Sequence, residues 1–322
     1  MTQNYNDNIG SSETTRESPF PTFDFTNYLC YHRPEHRCKE DTGITITFLE
    51  WFVGFTEGDG CFFSGMEEGR PRLRFTLTQK DAKLLYKVKK CLGFGYVAKD
   101  KDNFVFRVDD VRGIQRIQSI FNGNLVLPKI QAQFAGWVNF KPEIQEPTFR
   151  LIDTPLYPNA LEPKVRARVL PSLEDAWISG FIEAEGCFYV KLDPNTDKPG
   201  FFTIKTHRLT ITQKDTLGEK AILDHIKQLF KTKTKTYLVK SPSCFRIVME
   251  NKKSQKVVVK YLQRFCLLGK KRIAAFRWWR LYLMKQDKGH LLLVNQEKLQ
   301  RLCKNLNKSQ EECLDKNQDI SE

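Results

Sequence analysis

Two carboxylates, Asp59 and Glu185, occupy the same place in two similar segments of a 322-residue chain. Each follows a small residue one helical turn after a glycine, Gly54 then Gly58 in one segment, Gly180 then Ala184 in the other, and each precedes a glycine, Gly60 or Gly186. Both segments are apolar and read as helices, so the acids fall at helix C-termini with a glycine suited to the cap. Small residues at i and i+4 share one helix face and let two backbones approach closely, which predicts that the two helices pack on each other and bring their ends together. A carboxylate at a helix C-terminus meets the negative end of the macrodipole, and two side by side repel, unless a cation lies between them. Oxygen donors of this kind suit Mg²⁺, with other divalent cations as substitutes. One such acid would be an ordinary exposed helix end; its recurrence in a second copy points to a shared cation.

The elements that must hold these acids repeat as well. Trp51 to Phe62 recurs as Trp177 to Phe188, an offset of 126; Leu77-Thr-Gln-Lys-Asp81 recurs as Ile211-Thr-Gln-Lys-Asp215, an offset of 134; Lys129, Phe134 and Trp137 recur as Lys271, Phe276 and Trp279, an offset of 142. Three markers in one order are the signature of a tandem duplication. The eight residues gained between the first two offsets match a polar insertion around Asp193 to Gly200. Each copy predicts a helix (47–59; 173–185), two strands, a helix (80–92; 214–230), two shorter strands and further helices, an α+β fold of duplicated αββαββα halves packed through the two acid-bearing helices.

The second strand alternates: Leu73, Phe75 and Leu77 share one face, and Arg70, Arg72, Arg74, Thr76 and Thr78 the other. In the second copy Arg208, Thr210 and Thr212 take the polar face, with Lys205 just upstream, and the last strands add Arg107 and Arg246. Each half therefore presents an apolar sheet face to helices and a basic, hydroxyl-bearing face to something else.

Charge says what that partner is. The net charge is +14, and residues 1–45 hold seven acidic and four basic side chains, so the rest carries 14 + 3 = +17. Such an excess, with no run of apolar residues long enough to span a bilayer, excludes channels and transporters and makes a polyanion the first partner. Nine scattered cysteines, an odd number, argue against a disulfide framework. Residues 1–45 are polar, lack apolar periodicity, match neither a transit nor a signal peptide, and are expected to be mostly disordered; Cys30, His32, His36 and Cys38 within them fit no common zinc spacing. Residues 142–171 hold six of the fourteen prolines and read as a linker between halves at 46–141 and 172–287. Residues 288–322 read as a helix with a polar tail.

Phe52-Val-Gly-Phe-Thr-Glu-Gly-Asp-Gly60 and Ile178-Ser-Gly-Phe-Ile-Glu-Ala-Glu-Gly186 resemble the two copies of the LAGLIDADG motif, and residues 47 to 287 are similar to the single-chain, two-motif homing endonucleases, particularly intron-encoded ones of organelle genomes. The resemblance implies that Asp59 and Glu185, with Gly58 and Ala184 beside them, bind the metal. It implies that Gln79, Gln213, Lys129 and Lys271 flank the site, and that the basic sheets form a saddle on double-stranded DNA. It further implies metal-assisted hydrolysis of one phosphodiester per strand at a long, pseudo-palindromic target, leaving 3′ overhangs, by a monomer made in a mitochondrion or chloroplast. Some such proteins are maturases, so host intron RNA on the same basic surface is the alternative partner. Retention of both acids and both lysines favours the nuclease.

Overall fold

The computed structural model describes residues 22–31, 44–140, 169–239 and 243–308. A short helix, α1 (Thr26–Tyr31), precedes the first half, which runs α2 (Ile46–Asp59), β1 (Gly60–Glu67), β2 (Arg70–Gln79), α3 (Ala82–Leu92), β3 (Tyr96–Asp100), β4 (Asn103–Val108), α4 (Val111–Phe121) and α5 (Pro128–Val138). The second half repeats the order as α6 (Trp177–Glu185), β5 (Gly186–Pro194), β6 (Phe202–Lys214), α7 (Glu219–Leu229), β7 (Tyr237–Leu238), β8 (Cys244–Met249), α8 (Lys252–Arg264) and α9 (Lys271–Gln286), followed by α10 (Gln296–Lys304). The αββαββα unit is present twice and is extended by one helix in each copy. Each half holds a four-stranded antiparallel sheet, ordered β1-β2-β4-β3 and β5-β6-β8-β7. None of the described helices is long and apolar enough to cross a membrane.

Glycine sets how closely α2 and α6 meet. A Cβ on Gly54 would lie 2.0 Å from the Trp177 carbonyl oxygen, one on Gly180 would lie 1.9 Å from that of Trp51, and one on Gly58 would lie 2.3 Å from the Ala184 Cβ. The first two obstacles are main chain and cannot rotate away. Gly54→Ala and Gly180→Ala are therefore each expected to cost at least the ~1–3 kcal/mol of an overpacked core; a thermal or denaturant midpoint equal to wild type would show that the helices can separate without loss.

Two helix starts differ from the sequence reading by four residues or more, and side chains account for both. α6 begins at Trp177, not 173, because the Asp175 carboxylate accepts from the Ser172 N–H and hydroxyl and from the Trp177 N–H, holding the preceding residues in a bend. α7 begins at Glu219, not 214: Glu219 accepts from the N–H groups of Thr216 and Leu217, and Gly218 enters the helix at a φ of +100°. The extra residues of the second copy lengthen the β5–β6 hairpin to Pro194 and Phe202, with a shift of register between Lys191 and Leu192.

In the first half Phe52, Phe62, Phe75, Phe121, Phe134 and Trp137 interlock at ring separations of about 5–6 Å. The second half departs from the repeat here. Trp278, not Trp279, is the buried partner of Phe188, as Trp137 is of Phe62, and Phe276 is 52% exposed rather than following Phe134 inward. His207, at the position of Leu73, stacks on Trp278 with its Nε2 3.0 Å from the Trp278 carbonyl, and burial pushes its pKa down to about 4.

The ends of the chain contribute more than their composition suggested. Phe25 and Tyr28 are buried, and Asp24 exchanges two main-chain hydrogen bonds of 2.8 Å with the Asn124 side chain, so part of residues 1–45 is built into the first half. After α9, Leu299 and Leu306 join the core, and Arg277 donates to the carbonyls of Asn305 and Lys308. Cys30 lies exposed in α1; His32, His36 and Cys38, and all but the last residues of the 142–171 linker, lie outside the described residues. No group of three or more potential metal-ligating His, Cys, Asp and Glu residues occurs among the described residues.

Candidate active site and nucleic-acid interface

Asp59 and Glu185 end α2 and α6, and the close helix contact brings them together at half-buried positions. A Cβ on Gly58 would come within 3.3 Å of the Glu185 Cγ. Burial raises the pKa of Asp59 above the usual carboxylate range, opposed by a 2.7 Å hydrogen bond from Gln79 Nε2 and by the charge of Lys271. Glu185 is pushed up to about 7, first by burial and then by the negative charge of Asp59, with Lys271 opposing. The glutamines are thus unequal. Gln79 supports Asp59, whereas Gln213 makes no such bond to Glu185 and its buried Oε1 has no hydrogen-bond partner.

Lys271 lies at the start of α9, and its ammonium donates to the Ala184 carbonyl at 2.6 Å and more weakly to that of Ile182 at 3.4 Å. Burial lowers its pKa, against the raising influence of the charges of Glu183, Asp59, Glu185 and Cys187. Lys129 occupies the matching position in α5, and its N–H donates at 2.8 Å to Glu219 of the second half.

Two residues that build the candidate site were missed by the sequence reading. Glu57 accepts from the N–H groups of Val126 and Leu127 (2.8 and 2.7 Å), and Glu183 from those of Leu268 and Gly269 (2.7 and 3.0 Å). Both are buried, and each ties the turn carrying a site lysine to the motif helix of its own half. Their matching bonds establish independently that Lys129 and Lys271 correspond. The available signal was the acid two residues before Asp59 and Glu185 in both motifs.

A second acidic cluster lies toward the other end of the helix pair. Glu50 is raised to about 7, chiefly by burial, and accepts from the Ala176 N–H; Asp175 is raised to about 6, again by burial. Acids whose folded pKa is raised keep protons that the unfolded chain has released, so between about pH 4 and 7 the native state binds more protons and stability falls as pH rises. Glu50→Gln keeps the acceptor and removes the charge. It is expected to stabilise the protein at pH 8 by about 1 kcal/mol, a figure reduced for the partial solvent access of Glu50, and to have little effect at pH 4. Equal effects at both pH values would rule out the charge as the cause.

On the sheets, Phe75 and Leu77 are buried while Arg72 and Thr78 are exposed, as the alternation requires. Arg74 and Arg208 stack on the aromatic directly across the hairpin, Phe63 and Tyr189, at 5.5 and 4.8 Å. Thr76 pairs with Arg107 across the strands, and Thr212 accepts from Arg246 Nε at 2.8 Å. Nε of Arg74, Arg107 and Arg208 are buried without a hydrogen-bond partner. Arg74 also forms a two-bonded pair with Glu67, and Lys205 is paired with Asp193. Thr210 is a correction: at 7% exposure, with its hydroxyl 3.5 Å from the Cys187 carbonyl of the neighbouring strand β5, it is not accessible on that face. Arg70 lies in β2, with its side chain outside the described residues.

The model of the family described as LAGLIDADG endonuclease matches residues 52–140 and 178–282. A Neurospora crassa protein named probable intron-encoded endonuclease 4 is 30% identical over 266 residues, 81% of this chain and 45% of its own length, so the chain spans about half of that relative. A Schizosaccharomyces pombe protein named as an uncharacterized cox1 intron-2 protein is 25% identical, covering 88% of this chain and 78% of its own. Among solved structures, the meganuclease I-SmaMI bound to uncleaveable DNA superposes with a TM-score of 0.63 at 18% identity, over 81% of this chain and 97% of its own. The meganuclease I-AabMI bound to uncleaved DNA gives 0.62 at 17% identity, over 81% and 99%.

Proposed function

This chain belongs to the LAGLIDADG endonuclease family, and we propose from that premise that it is a site-specific endonuclease hydrolysing one phosphodiester on each strand of a double-stranded DNA target. The observation that carries the reading is the pair of half-buried carboxylates at adjoining helix ends, one raised to about 7 by burial and by its neighbour's charge. Such a pair is relieved by a divalent cation, and hard oxygen donors fit Mg²⁺. Asp59 and Glu185 would hold it with Gly58 beside them; the Ala184 carbonyl is engaged by Lys271. A bound cation supplies a water of lowered pKa and charge neutralisation at the phosphate. Lys271, which feels the charges of Glu183, Asp59 and Glu185, would stabilise developing negative charge on the phosphate or polarise the attacking water. Gln79 orients Asp59 through its amide.

The sheets supply the address. Arg208, braced on Tyr189, and the exposed Arg72 would meet base edges or phosphates in the major groove, while Arg74, braced on Phe63, is engaged by Glu67. Two unequal halves on one chain imply a long, imperfectly palindromic site read by a monomer, with 3′ overhangs where the acids straddle a minor groove. The intron-encoded relatives support synthesis inside an organelle. Incubation with Mg²⁺ and a randomised duplex library, followed by sequencing of the ends, tests the reading: one long site with 3′ overhangs is expected, and intact DNA at every Mg²⁺ concentration would sink it. In the same assay Arg208→Ala is expected to relax preference at one position and lose ~1–3 kcal/mol of binding there. A uniform loss across sequences with a shallower salt dependence would instead make it a phosphate contact.

A further inference from the structure

Lys129 and Lys271 correspond, yet they are held by different means. Lys271 is half-buried, and its ammonium is fastened to the Ala184 carbonyl at 2.6 Å. Lys129 is exposed, and among the described residues none holds its ammonium. What fixes Lys129 is its main chain, in the first turn of α5.

That turn lacks a cap of its own. Leu127 stands at the N-cap with no side-chain acceptor, and Pro128 after it has no N–H. Glu57 takes the N–H groups of Val126 and Leu127, so the next donor in need of a partner is the Lys129 N–H. Glu219 Oε1 accepts it at 2.8 Å, from the other half of the molecule. Its second oxygen, Oε2, accepts from the N–H groups of Thr216 and Leu217 at 2.5 and 2.9 Å. An acid beside a helix N-terminus is favoured by the macrodipole, and three N–H groups satisfy the carboxylate of Glu219 although the residue is fully buried.

The start of α9 has no such arrangement. Its first turn closes on itself, the Arg272 N–H donating to the Gly269 carbonyl and the Ile273 N–H to that of Lys270, both at 3.0 Å. At the offset of 134, Glu219 matches Leu85, which cannot accept a hydrogen bond, and Leu84 beside it packs on Gly269, where an added Cβ would meet its Cδ2 at 2.9 Å. The bridge therefore runs one way. It begins just past the end of β6, the strand that carries Arg208 and Gln213, and ends on the lysine helix of the opposite half.

We infer that Glu219 is a positioning residue that sets Lys129 from the opposite half, so that cutting of the strand served by Lys129 depends on Glu219 and cutting of the strand served by Lys271 does not. The roles of the lysines rest on the nuclease reading above. A misplacement of about 1 Å costs such a group up to ~10²-fold in rate, and a helix start released from its cap has that freedom.

Glu219→Gln separates the two sets of bonds. One amide oxygen serves either Thr216 and Leu217 together or Lys129 alone, and the pair outweighs the single bond. The loop then keeps its shape while an NH₂ group faces the Lys129 N–H. With the full chain and the target recovered from the duplex library, single-turnover cutting is read on each strand. The strand slowed by Lys129→Met is expected to slow ~10–10²-fold in Glu219→Gln, while the strand slowed by Lys271→Met stays within about twofold of wild type, at unchanged DNA affinity. Adding Glu219→Gln to Lys129→Met should slow that strand no further, because both act through one side chain. Hydrogen exchange of the peptide that opens α5 should lose protection in Glu219→Gln, and that of the peptide opening α9 should not. Should the Gln variant not fold, Glu219→Asp, which keeps the charge with a shorter reach, is expected to show the same strand selectivity. Equal slowing of both strands, independent losses in the double variant, or wild-type exchange at the start of α5 in a folded variant would overturn the inference. A wild-type chain that leaves DNA intact would count against the nuclease reading instead, and the exchange result would still decide whether Glu219 caps α5.

Discussion

Replacing Asp59 by Asn or Glu185 by Gln is expected to reduce double-strand cleavage on the order of 10³-fold or more while DNA affinity stays level or rises. On the proposed reading the carboxylates would serve the reaction by holding the cation, and losing a group needed only in the transition state costs rate without costing ground-state binding. Affinity can rise because each substitution removes a negative charge from a surface that must receive phosphate. The two variants differ in what they disturb. Asn at 59 can still accept the amide of Gln79, so the helix end keeps its local geometry. Gln at 185 removes a charge that burial and Asp59 already disfavour, and a more stable protein is the accompanying result. Cleavage at the wild-type rate by either variant would show that the paired acids are not the metal site. Loss of cleavage together with loss of affinity would place them in DNA recognition instead.

Lys271→Met is expected to slow cutting by roughly 10²–10³-fold, the scale of removing one preorganised transition-state donor, and to slow one strand more than the other. Its ammonium is held by the Ala184 carbonyl within the field of three carboxylates, so it is positioned before substrate arrives. The site is lopsided even in the native chain: Asp59 has Gln79, while Gln213 leaves its oxygen unpartnered and Glu185 is the harder acid to ionise. A supercoiled plasmid bearing the target should therefore pass through a nicked circle before becoming linear, and the Lys271 variant should lengthen that stage. Strictly simultaneous cutting in both proteins would mean that the two acids, whatever their surroundings, serve a single event.

The duplication, the order of elements and the paired acids could be read from the chain because each rests on local residue types at fixed spacing. Gly54 and Gly180 were legible for the same reason: only a backbone contact requires the missing Cβ. Glu57 and Glu183 escaped notice since an acid in the last turn of a helix looks like surface, and their burial depends on two turns about 70 and 85 residues away. Trp278 and Trp279 are adjacent, and a one-residue slip in the repeat exchanged a fully buried ring for a half-buried one. The later start of α7 followed from Glu219, whose carboxylate collects N–H groups from its own loop and from the other half. Thr210 was misplaced because alternation assigns a face and not a depth.

The seam of α2 and α6 also bears on descent. At most protein interfaces a change in one side chain can be answered by a change in its neighbour. Here the atoms facing Gly54 and Gly180 are carbonyl oxygens of the main chain, common to every amino acid, so no mutation across the seam can compensate for one within it. The strands of the saddle have no such restriction, since each half's arginines and aromatics meet only residues of the same half. After duplication, then, the two copies were free to diverge toward different half-sites while the joint was held to glycine, and a chain assembled from halves of two lineages should close wherever the cross-joint bonds of Glu50, Glu57 and Glu219 are also kept.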